Sequence, residues 1–304
     1  MDAAGEIARH DMALGLISIF RPLADGVERR EIVATQQWSG DTITIRGIEM
    51  GERDLTVLLA LLAIATGDLG EDAAEPNATQ IQALDIQGTG KTGAVMEIRT
   101  SVTEICRRCG ISPRSRGTRA SVRVAVERLA ALVVRGDAAG GAWRFTHLIA
   151  GGCGAGRNAV QVTLSYRLAR AVLGTGSYAR VSMPAYRALP GGLPRILHVW
   201  LSAWMCGARA RVIGLGACVR HIWPTRARSE RTERHRWAQM EEALDAQRAA
   251  GWTVTWQGQM ARIERRQCIP ALPRRSRRRR RNHLIQMTNL QLSHPREKLY
   301  KHHY

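Results

Sequence analysis

The stretch TSVTEICRRCGISPRSRGTRASVRVAVERLAALVV, residues 100–134, decides the predicted fold, because it contains two helical patterns separated by a turn. Thr100 or Ser101, followed by Glu104, has the spacing of a capping box and predicts the start of a short amphipathic helix. CGIS at 109–112 then predicts a tight turn, since glycine accepts backbone angles that other residues avoid.

A second, longer helix is predicted over about 115–134, where apolar side chains recur at helical spacing. Two β-like runs follow, VVRGD at 133–137 and WRFTHLI at 143–149, and the segment 138–141 between them indicates a hairpin. A short helix, a turn, a longer helix and a hairpin are typical of a winged-helix domain, which places its second helix in the major groove of DNA.

The same order of elements recurs in the second half of the chain. LPRILHVWLSAWM at 193–205 predicts an apolar helix, and a short apolar segment at 211–222 ends at Trp223-Pro224. A long helix is predicted over 229–250, with Gly251 as its C-terminal cap. WTVTW followed by MARIERR predicts a second hairpin. Two units of one element order predict tandem winged helices.

We therefore predict an α+β protein with two winged-helix domains. The N-terminal domain, 1–155, would carry extra strands, the C-terminal domain would cover 156–269, and the basic tail 270–304 is predicted to be largely disordered. The other elements predicted in the N-terminal domain are strands at 14–20, 31–35, 42–48 and 95–100, a helix at 54–65 and a long polar loop at 67–93.

The charge of the chain favours a polyanionic partner, nucleic acid first and an anionic membrane surface second. The 304 residues carry a formal net charge of +19, which attracts phosphates. The basic run at 274–281 contributes only part of this charge, so the rest of the chain is basic as well. The longest apolar run, at 55–65, is about half the ~20 residues that span a bilayer, and the cysteines suggest no disulfide framework. The sequence therefore predicts a soluble protein of a reducing cytoplasm.

Arginines concentrate in and beside the two predicted DNA-reading helices. Guanidinium groups pair with phosphates and with the acceptor edge of guanine, so a helix face that is almost entirely positive predicts contact with duplex DNA. Two other interpretations stay open, a solvated surface face and pairing between side chains one helical turn apart. The candidate DNA-binding residues are Arg114, Arg116, Arg119, Arg123, Arg226, Arg228, Arg231, Arg234, His235 and, in the second hairpin, Arg262.

Three sequence patterns resemble a zinc site, a nucleotide-binding loop and a base-stacking surface, but each has a simpler structural explanation. CRRC at 106–109 lacks a second ligand pair for zinc, so both cysteines are predicted to be buried apolar residues. GTGKTG at 88–93 departs from the phosphate-binding loop, because Asp85 stands where a glycine is required. Trp200, Trp204 and Trp237 lie on apolar helical stripes and are predicted in the core rather than stacked on bases. No catalytic arrangement, metal site or cofactor is predicted.

Several segments resemble the replication initiators of IncQ-type plasmids, the RepC family. SYARVSMPAYRAL at 177–189, CVRHIWPTRARSERTERHRW at 218–237 and GWTVT at 251–255 carry the resemblance. It covers roughly residues 8–266 and is strongest over 160–256. The chain departs from the family pattern at Pro190-Gly191-Gly192 and in the mixed charge of its second arginine set, and the arginine-rich tail has no counterpart there.

The resemblance implies two winged-helix domains that bind directly repeated sites (iterons) at a plasmid origin, open the adjacent DNA and help to recruit the plasmid's helicase and primase. The DNA-reading helices would be those at 115–134 and 229–250, in a protein of the bacterial cytoplasm. The sequence leaves open whether a homodimer forms. It also leaves two alternatives, a winged-helix transcriptional repressor and an RNA-binding protein.

Overall fold

The computed structural model describes residues 6–23, 27–67, 79–85, 92–138, 140–153 and 158–265. The fold is a mixed α+β fold, as predicted, with helices and antiparallel strands interleaved along the chain. The predicted disordered tail, 270–304, lies outside the described residues.

The elements have the following bounds. The helices are α1 (Met12–Gly15), α2 (Glu52–Gly67), α3 (Val102–Cys109), α4 (Arg116–Ala130), α5 (Tyr166–Leu173), α6 (Met183–Ala188), α7 (Leu193–Trp204), α8 (Leu215–Ile222) and α9 (Glu230–Ala246). The strands are β1 (Ile7–Asp11), β2 (Glu31–Trp38), β3 (Asp41–Ile48), β4 (Thr79–Asp85), β5 (Thr92–Ser101), β6 (Val133–Asp137), β7 (Trp143–His147), β8 (Ile149–Cys153), β9 (Ala159–Leu164), β10 (Tyr178–Ser182), β11 (Ala210–Gly214), β12 (Trp252–Gln257) and β13 (Met260–Arg265).

Within the described ranges, the strands pair in four antiparallel sheets. Their orders are β1-β10, β11-β13-β12, β2-β3-β6-β7 and β4-β5-β9-β8. Both predicted hairpins are present, as β6–β7 and β12–β13. The pairs β1–β10 and β5–β9 join strands from the two sides of the predicted boundary at 155–156. The two predicted domains therefore share backbone hydrogen bonds, and their division stays a prediction.

Helix α2 is the centre of the core. Every residue from 54 to 65 is buried, and α2 packs against β1, α3, α4, α5 and α7. The spacing of its leucines predicts an amphipathic helix with one apolar face. It is instead buried on all sides, because elements from both halves of the chain surround it. An all-round apolar helix is the pattern expected for such a position.

Three predicted boundaries need correction. The strand predicted at 14–20 is wrong: α1 occupies its first residues, because the Asp11 carboxylate accepts a hydrogen bond from the Leu14 amide (3.0 Å) and caps a helical turn there. The polar loop predicted at 67–93 contains β4 and the start of β5. The long helix predicted to end at residue 250 ends earlier, in a 3-10 turn, and Gly251 with φ +83° closes that turn as its cap.

No helix in the described part of the chain is long and apolar enough to cross a membrane.

Asp54 joins three segments inside the core. Its carboxylate is fully buried, and it accepts hydrogen bonds from Arg29 Nη1 (2.7 Å), from Arg128 Nε (2.9 Å) and from the Gly51 amide (2.8 Å). Arg128 lies in the last turn of α4, so this cluster fixes α4 onto the start of α2. The sequence places Asp54 as a helix cap. The helix begins two residues earlier, and the carboxylate binds the two arginines instead.

Asp54→Ala is expected to lower the free energy of unfolding by about 3–5 kcal/mol, because it leaves two partly buried guanidinium groups without their partner. Urea unfolding followed by circular dichroism measures the change. Glu264→Ala, which removes one member of the exposed pair Arg262–Glu264, is the control and should cost less than about 1 kcal/mol. Equal losses for the two variants would show that Asp54 does not hold the core together.

The buried His198 and the half-buried His221 make the fold sensitive to acid. Burial lowers the pKa of His198 and that of His221 to about 4. Nδ1 of His198 lies 3.1 Å from the indole Nε1 of Trp252, which can only donate, and 3.2 Å from Oε1 of Gln247. The hydrogen bond from the indole requires a neutral imidazole. His221 stacks on Trp200 with ring centroids 4.4 Å apart. Both rings lie among the helices that support α9.

The stability of the protein should fall as the pH drops from 7 to 5. The unfolded histidines take up protons near pH 6.5, whereas the folded ones do so only near pH 4, so acid favours the unfolded chain in this window. Each histidine should contribute about 2 kcal/mol of this loss. His221→Phe keeps a flat ring that cannot be protonated, and its unfolding free energy should depend less on pH over this range. A pH dependence equal to that of the wild type would contradict the assignment.

Candidate nucleic-acid interface

Helix α4 presents one face to the core and one to solvent. It begins after Ser115, whose hydroxyl accepts a hydrogen bond from the Thr118 amide. Its buried face consists of Val122, Ala125 and Leu129, which pack towards α2 and α3. The chain enters α4 from α3 through Gly110, whose left-handed backbone (φ +73°) ends α3 as the sequence predicts.

The first arginine set lies on and before the exposed face of α4. Arg114 and Arg116 are exposed, and their side chains make no hydrogen bond or ion pair with the described residues. Arg123 is exposed on the same side of the helix. Arg119 is half-buried and donates to the carbonyl of Pro113 (2.6 Å), so it steadies the turn before the helix.

An open concavity runs beside this face. It is lined by Arg116, Arg119, Arg123 and Ala120 of α4, together with Thr103 and Asn158. The Thr103 hydroxyl and the Asn158 side-chain carbonyl form a hydrogen bond across one end (3.3 Å). Three guanidinium groups and no carboxylate line the concavity, so it suits an anion such as a backbone phosphate.

Other arginines of the same sequence run are held in ion pairs. Arg107 and Arg108 both bind Glu104, at 2.6 and 2.9 Å, and Arg128 binds the buried Asp54. These three side chains contribute to the positive charge of the segment, but they are bound within the protein. Arg107 and Arg108 pair within α3 itself, whereas Arg128 fixes α4 onto α2.

The second candidate helix, α9, follows α8 after a proline break. Helix α8 ends at Ile222, Trp223-Pro224 interrupts the helical backbone, and α9 begins after Ser229, whose hydroxyl accepts from the Thr232 amide (3.2 Å). The sequence predicts that the apolar segment ends at Trp223-Pro224 and that a helix begins near residue 229, and both predictions are confirmed. Glu233 in the first turn accepts from the indole of Trp237 (3.0 Å), in addition to favouring the positive end of the helix dipole.

The N-terminal half of α9 carries positive side chains on its outer face. Met240, Ala243 and Leu244 are buried further along the helix, whereas the candidate residues at its start and in the turn before it are exposed. This exposed group consists of Arg226, Arg228, Arg231, Arg234 and His235. None of their side chains has a hydrogen bond or ion pair with another described residue.

The charge of α9 changes sign along its length. Exposed carboxylates at Glu241 and Glu242 follow the arginines, so the positive potential is confined to the first two turns. The helix N-terminus adds its own partial positive charge there. A phosphate or an electron-rich base edge would therefore be attracted to this end of the helix.

Arg236 holds the turn that carries the exposed arginines. Its Nη1 donates to the carbonyl of Thr225 (2.8 Å), and its guanidinium lies 5.6 Å from the centre of the Trp223 ring. The side chain thus joins α9 to the residues just after α8. It positions Arg226 and Arg228 rather than being available itself.

Arg262, the candidate in the second hairpin, is exposed but paired. Its Nε donates to Glu264 (2.6 Å) on the same strand, β13. Its charge is therefore largely balanced, and it offers less attraction to phosphate than the arginines of α9.

Sequence reasoning overlooked one exposed feature, the aromatic pair Trp143 and Phe145 on β7. Their alternation in WRFTH indicates that both rings share one face of a strand. The tryptophans considered at the sequence level were those on helices.

The model of the replication protein C (RepC) family matches residues 4–265, which is most of the chain. The protein belongs to the RepC family. The family assignment agrees with the resemblance carried by 177–189 and 251–255.

Two crystal structures of domains 2 and 3 of RctB are similar to this RepC-family protein. Each is 12% identical, and the match covers 81% of this chain and 95% of the other chain. The TM-score is 0.50 for the selenomethionine derivative and 0.48 for the second structure. At this identity the first match indicates a shared fold. No curated protein matches the chain.

Arg236→Lys in the RepC-family protein is expected to loosen the turn at 223–228, because an ammonium group cannot reproduce both the hydrogen bond to Thr225 and the flat contact with Trp223. Hydrogen exchange measured by mass spectrometry should become faster in peptides that cover this turn. Arg231→Lys, the same substitution on the same helix at a side chain without a described partner, is the control and should leave exchange unchanged. Unaltered protection in the Arg236 variant would refute the positioning role.

Proposed function

We propose that this RepC-family protein initiates plasmid replication by binding directly repeated sites in duplex DNA through two winged-helix units. The observation that carries the proposal is the outer face of the first turns of α9. There Arg231, Arg234 and His235 are exposed, close together and without partners among the described residues. Arginine needs a polyanion or a base edge to use its donors, and duplex DNA supplies both.

The order and pairing of the second half support a winged helix. Helices α7, α8 and α9 precede the hairpin β12–β13, and β11, which lies between α7 and α8, pairs with β13. In such a unit the last helix enters the major groove and the hairpin lies beside it. The first half has a related order, α2, α3, α4 and then β6–β7, although β3 supplies the third strand there.

The side chains of α9 divide into two kinds of contact. Those in the first turns of a major-groove helix reach base edges, so Arg231, Arg234 and His235 would give sequence preference. Arg226 and Arg228 in the preceding turn would contact phosphates and set the register. In the first unit, Arg116 and Arg123 are the corresponding candidates on α4, with Arg114 at its entrance.

Two different reading units in one chain suit an asymmetric direct repeat. A transcriptional repressor of this class would more commonly join one such unit to a dimerisation or ligand-binding element. We further propose that the protein acts at an origin of the IncQ type, without catalysis or a cofactor. There it would bring the plasmid's helicase and primase to DNA opened beside the repeats.

The double variant Arg231→Ala/Arg234→Ala should lose most of its preference for the repeats. Each bidentate pairing of an arginine with a base contributes about 1–3 kcal/mol of discrimination, so the ratio of affinities for repeat and scrambled duplex should fall about 10- to 100-fold for each such pairing that the variant removes. Where one of these arginines binds phosphate instead, the slope of log affinity against log salt should decrease by about 0.9 for that residue. Fluorescence anisotropy at several salt concentrations measures both quantities, and the footprint should shrink over one part of the repeat.

The matched control is Arg99→Ala/Arg170→Ala, which removes the same charge from two exposed sites outside both arginine sets. It should leave the preference for the repeats unchanged. An unaltered footprint and affinity ratio in the Arg231/Arg234 variant would exclude α9 as a DNA-reading helix. Arg116→Ala/Arg123→Ala tests α4 in the same assay and should remove protection from the other part of the repeat.

A further inference from the structure

Two large aromatic side chains of β7 face solvent. Trp143 is 58% exposed and Phe145 66% exposed, and their rings are stacked with centroids 6.0 Å apart and planes 17° from parallel. Trp200 and Trp252, by contrast, are buried. Exposing two large rings side by side costs solvation free energy, so a partner that covers them is expected.

The rings lie on the open face of the sheet β2-β3-β6-β7. The other face of this sheet is buried in the core through Ile43, Ile45 and Val134. On the open face, Phe145 pairs across the strands with Arg135, and Trp143 pairs with Asp137. The rest of this face carries mainly polar side chains and one exposed apolar residue, Val33 on the edge strand β2. The polar residues are Thr35, Gln37, Thr42 and Thr44.

The Trp143 ring already contacts a cation, the guanidinium group of Arg135. The Arg135 guanidinium lies 5.3 Å from the centre of the Trp143 ring and is fixed by an ion pair with Asp137 (2.7 Å). Stacked aromatic rings with an arginine beside them are the usual means of binding unpaired bases, since every base offers a flat face. A base pair within a duplex does not expose that face.

We propose that the open face of this sheet binds single-stranded DNA by stacking bases on Trp143 and Phe145. This inference rests on the proposed function, in which the protein opens DNA beside the repeats, and it names the released strand as a second ligand.

The polar composition around the rings favours nucleic acid over a protein partner. Threonine and glutamine side chains suit base edges and sugar hydroxyls, whereas the centre of a stable protein interface is more apolar. The charges of this face nearly balance, with Arg46 and Arg135 opposed by Glu31 and Asp137. Local affinity would therefore come from stacking, while the net charge of +19 on the chain supplies the general attraction to DNA.

The sheet is also attached to α4, at the end of the helix opposite its exposed arginines. Nδ1 of His147, at the end of β7, forms a hydrogen bond with the carbonyl of Ala130 at the C-terminal end of α4 (2.8 Å). A strand released from DNA held by the arginines of α4 would therefore run along the length of this helix to reach the open face.

The second sheet provides a matched control. On β11-β13-β12 the corresponding open face carries Val212, Thr255, Arg262 and Met260. No aromatic ring lies on that face among the described residues, because Trp252 is buried and Trp256 lies on the inner side. Val212→Ala/Met260→Ala therefore removes exposed apolar surface without removing a stacking group.

The test measures two ligands in parallel with the full chain. The probes are a labelled oligothymidylate of about 20 nucleotides, longer than the ~4–16 nucleotides that one binding module covers, and the duplex repeats. The affinity of Trp143→Ala/Phe145→Ala for the oligothymidylate should fall by about tenfold or more, and the salt dependence of binding should change little. It should bind the duplex repeats as the wild type does. Trp143→Phe keeps a ring and should retain most of the single-strand affinity.

The outcomes separate this inference from the proposed function. The inference is overturned if the folded double-alanine variant binds oligothymidylate as tightly as the wild type. An equal loss of affinity for duplex DNA also overturns it, because the rings would then belong to the duplex interface. A change of molar mass in solution overturns it as well, because the rings would then belong to a self-association surface. Equal weakening by Val212→Ala/Met260→Ala also overturns it. If the wild type shows no preference for the repeats but single-strand binding still depends on the rings, the duplex proposal fails and this one stands. Circular dichroism and thermal unfolding verify that each variant is folded.

Discussion

The buried carboxylate of Asp54 is the contact on which the presentation of α4 depends. It binds Arg128 in the last turn of α4 and Arg29 from a preceding loop, and it also accepts from the amide of Gly51. A carboxylate with no solvent contact is tolerated only when its lone pairs are satisfied in this way. Because α4 is attached at its C-terminal end, Arg114 and Arg116 at its other end can face outward, while Arg119 holds the turn before the helix.

Helix α9 is attached in the same manner, but without charge. The amide of Gln247, just after the helix, donates to the carbonyls of Pro194 (2.8 Å) and Ala243 (3.1 Å), and His198 on α7 accepts from Trp252 of the hairpin. A buried polar network of this kind gives a helix one position. In both halves the buried polar contact lies at the C-terminal end of the helix, and the exposed cations lie at the other end.

The sequence predicted more of the helices and hairpins than of the remaining fold. Residues 100–134 and 218–237 contain caps, glycines and apolar spacing that act locally, and the predicted helix, turn and helix formed there. The strand predicted at 14–20 failed because one capping carboxylate, Asp11, outweighed the β-like composition. The apolar run at 55–65 is itself the pattern of a helix buried on every side, but the elements that surround α2 were not predictable, since they come from distant parts of the chain.

The arginines show most clearly which properties follow from the sequence and which depend on the tertiary structure. Composition, periodicity and caps by themselves determined a basic α+β protein with two arginine-bearing helices, each followed by a hairpin. Only the tertiary structure decided which arginines are available, because pairing depends on distance in space: Arg128 meets Asp54 from 74 residues away, while Arg231 and Arg234 meet no described partner. The exposure of Trp143 was likewise decided by sheet order, since an outward-facing ring and a core ring have the same local sequence pattern.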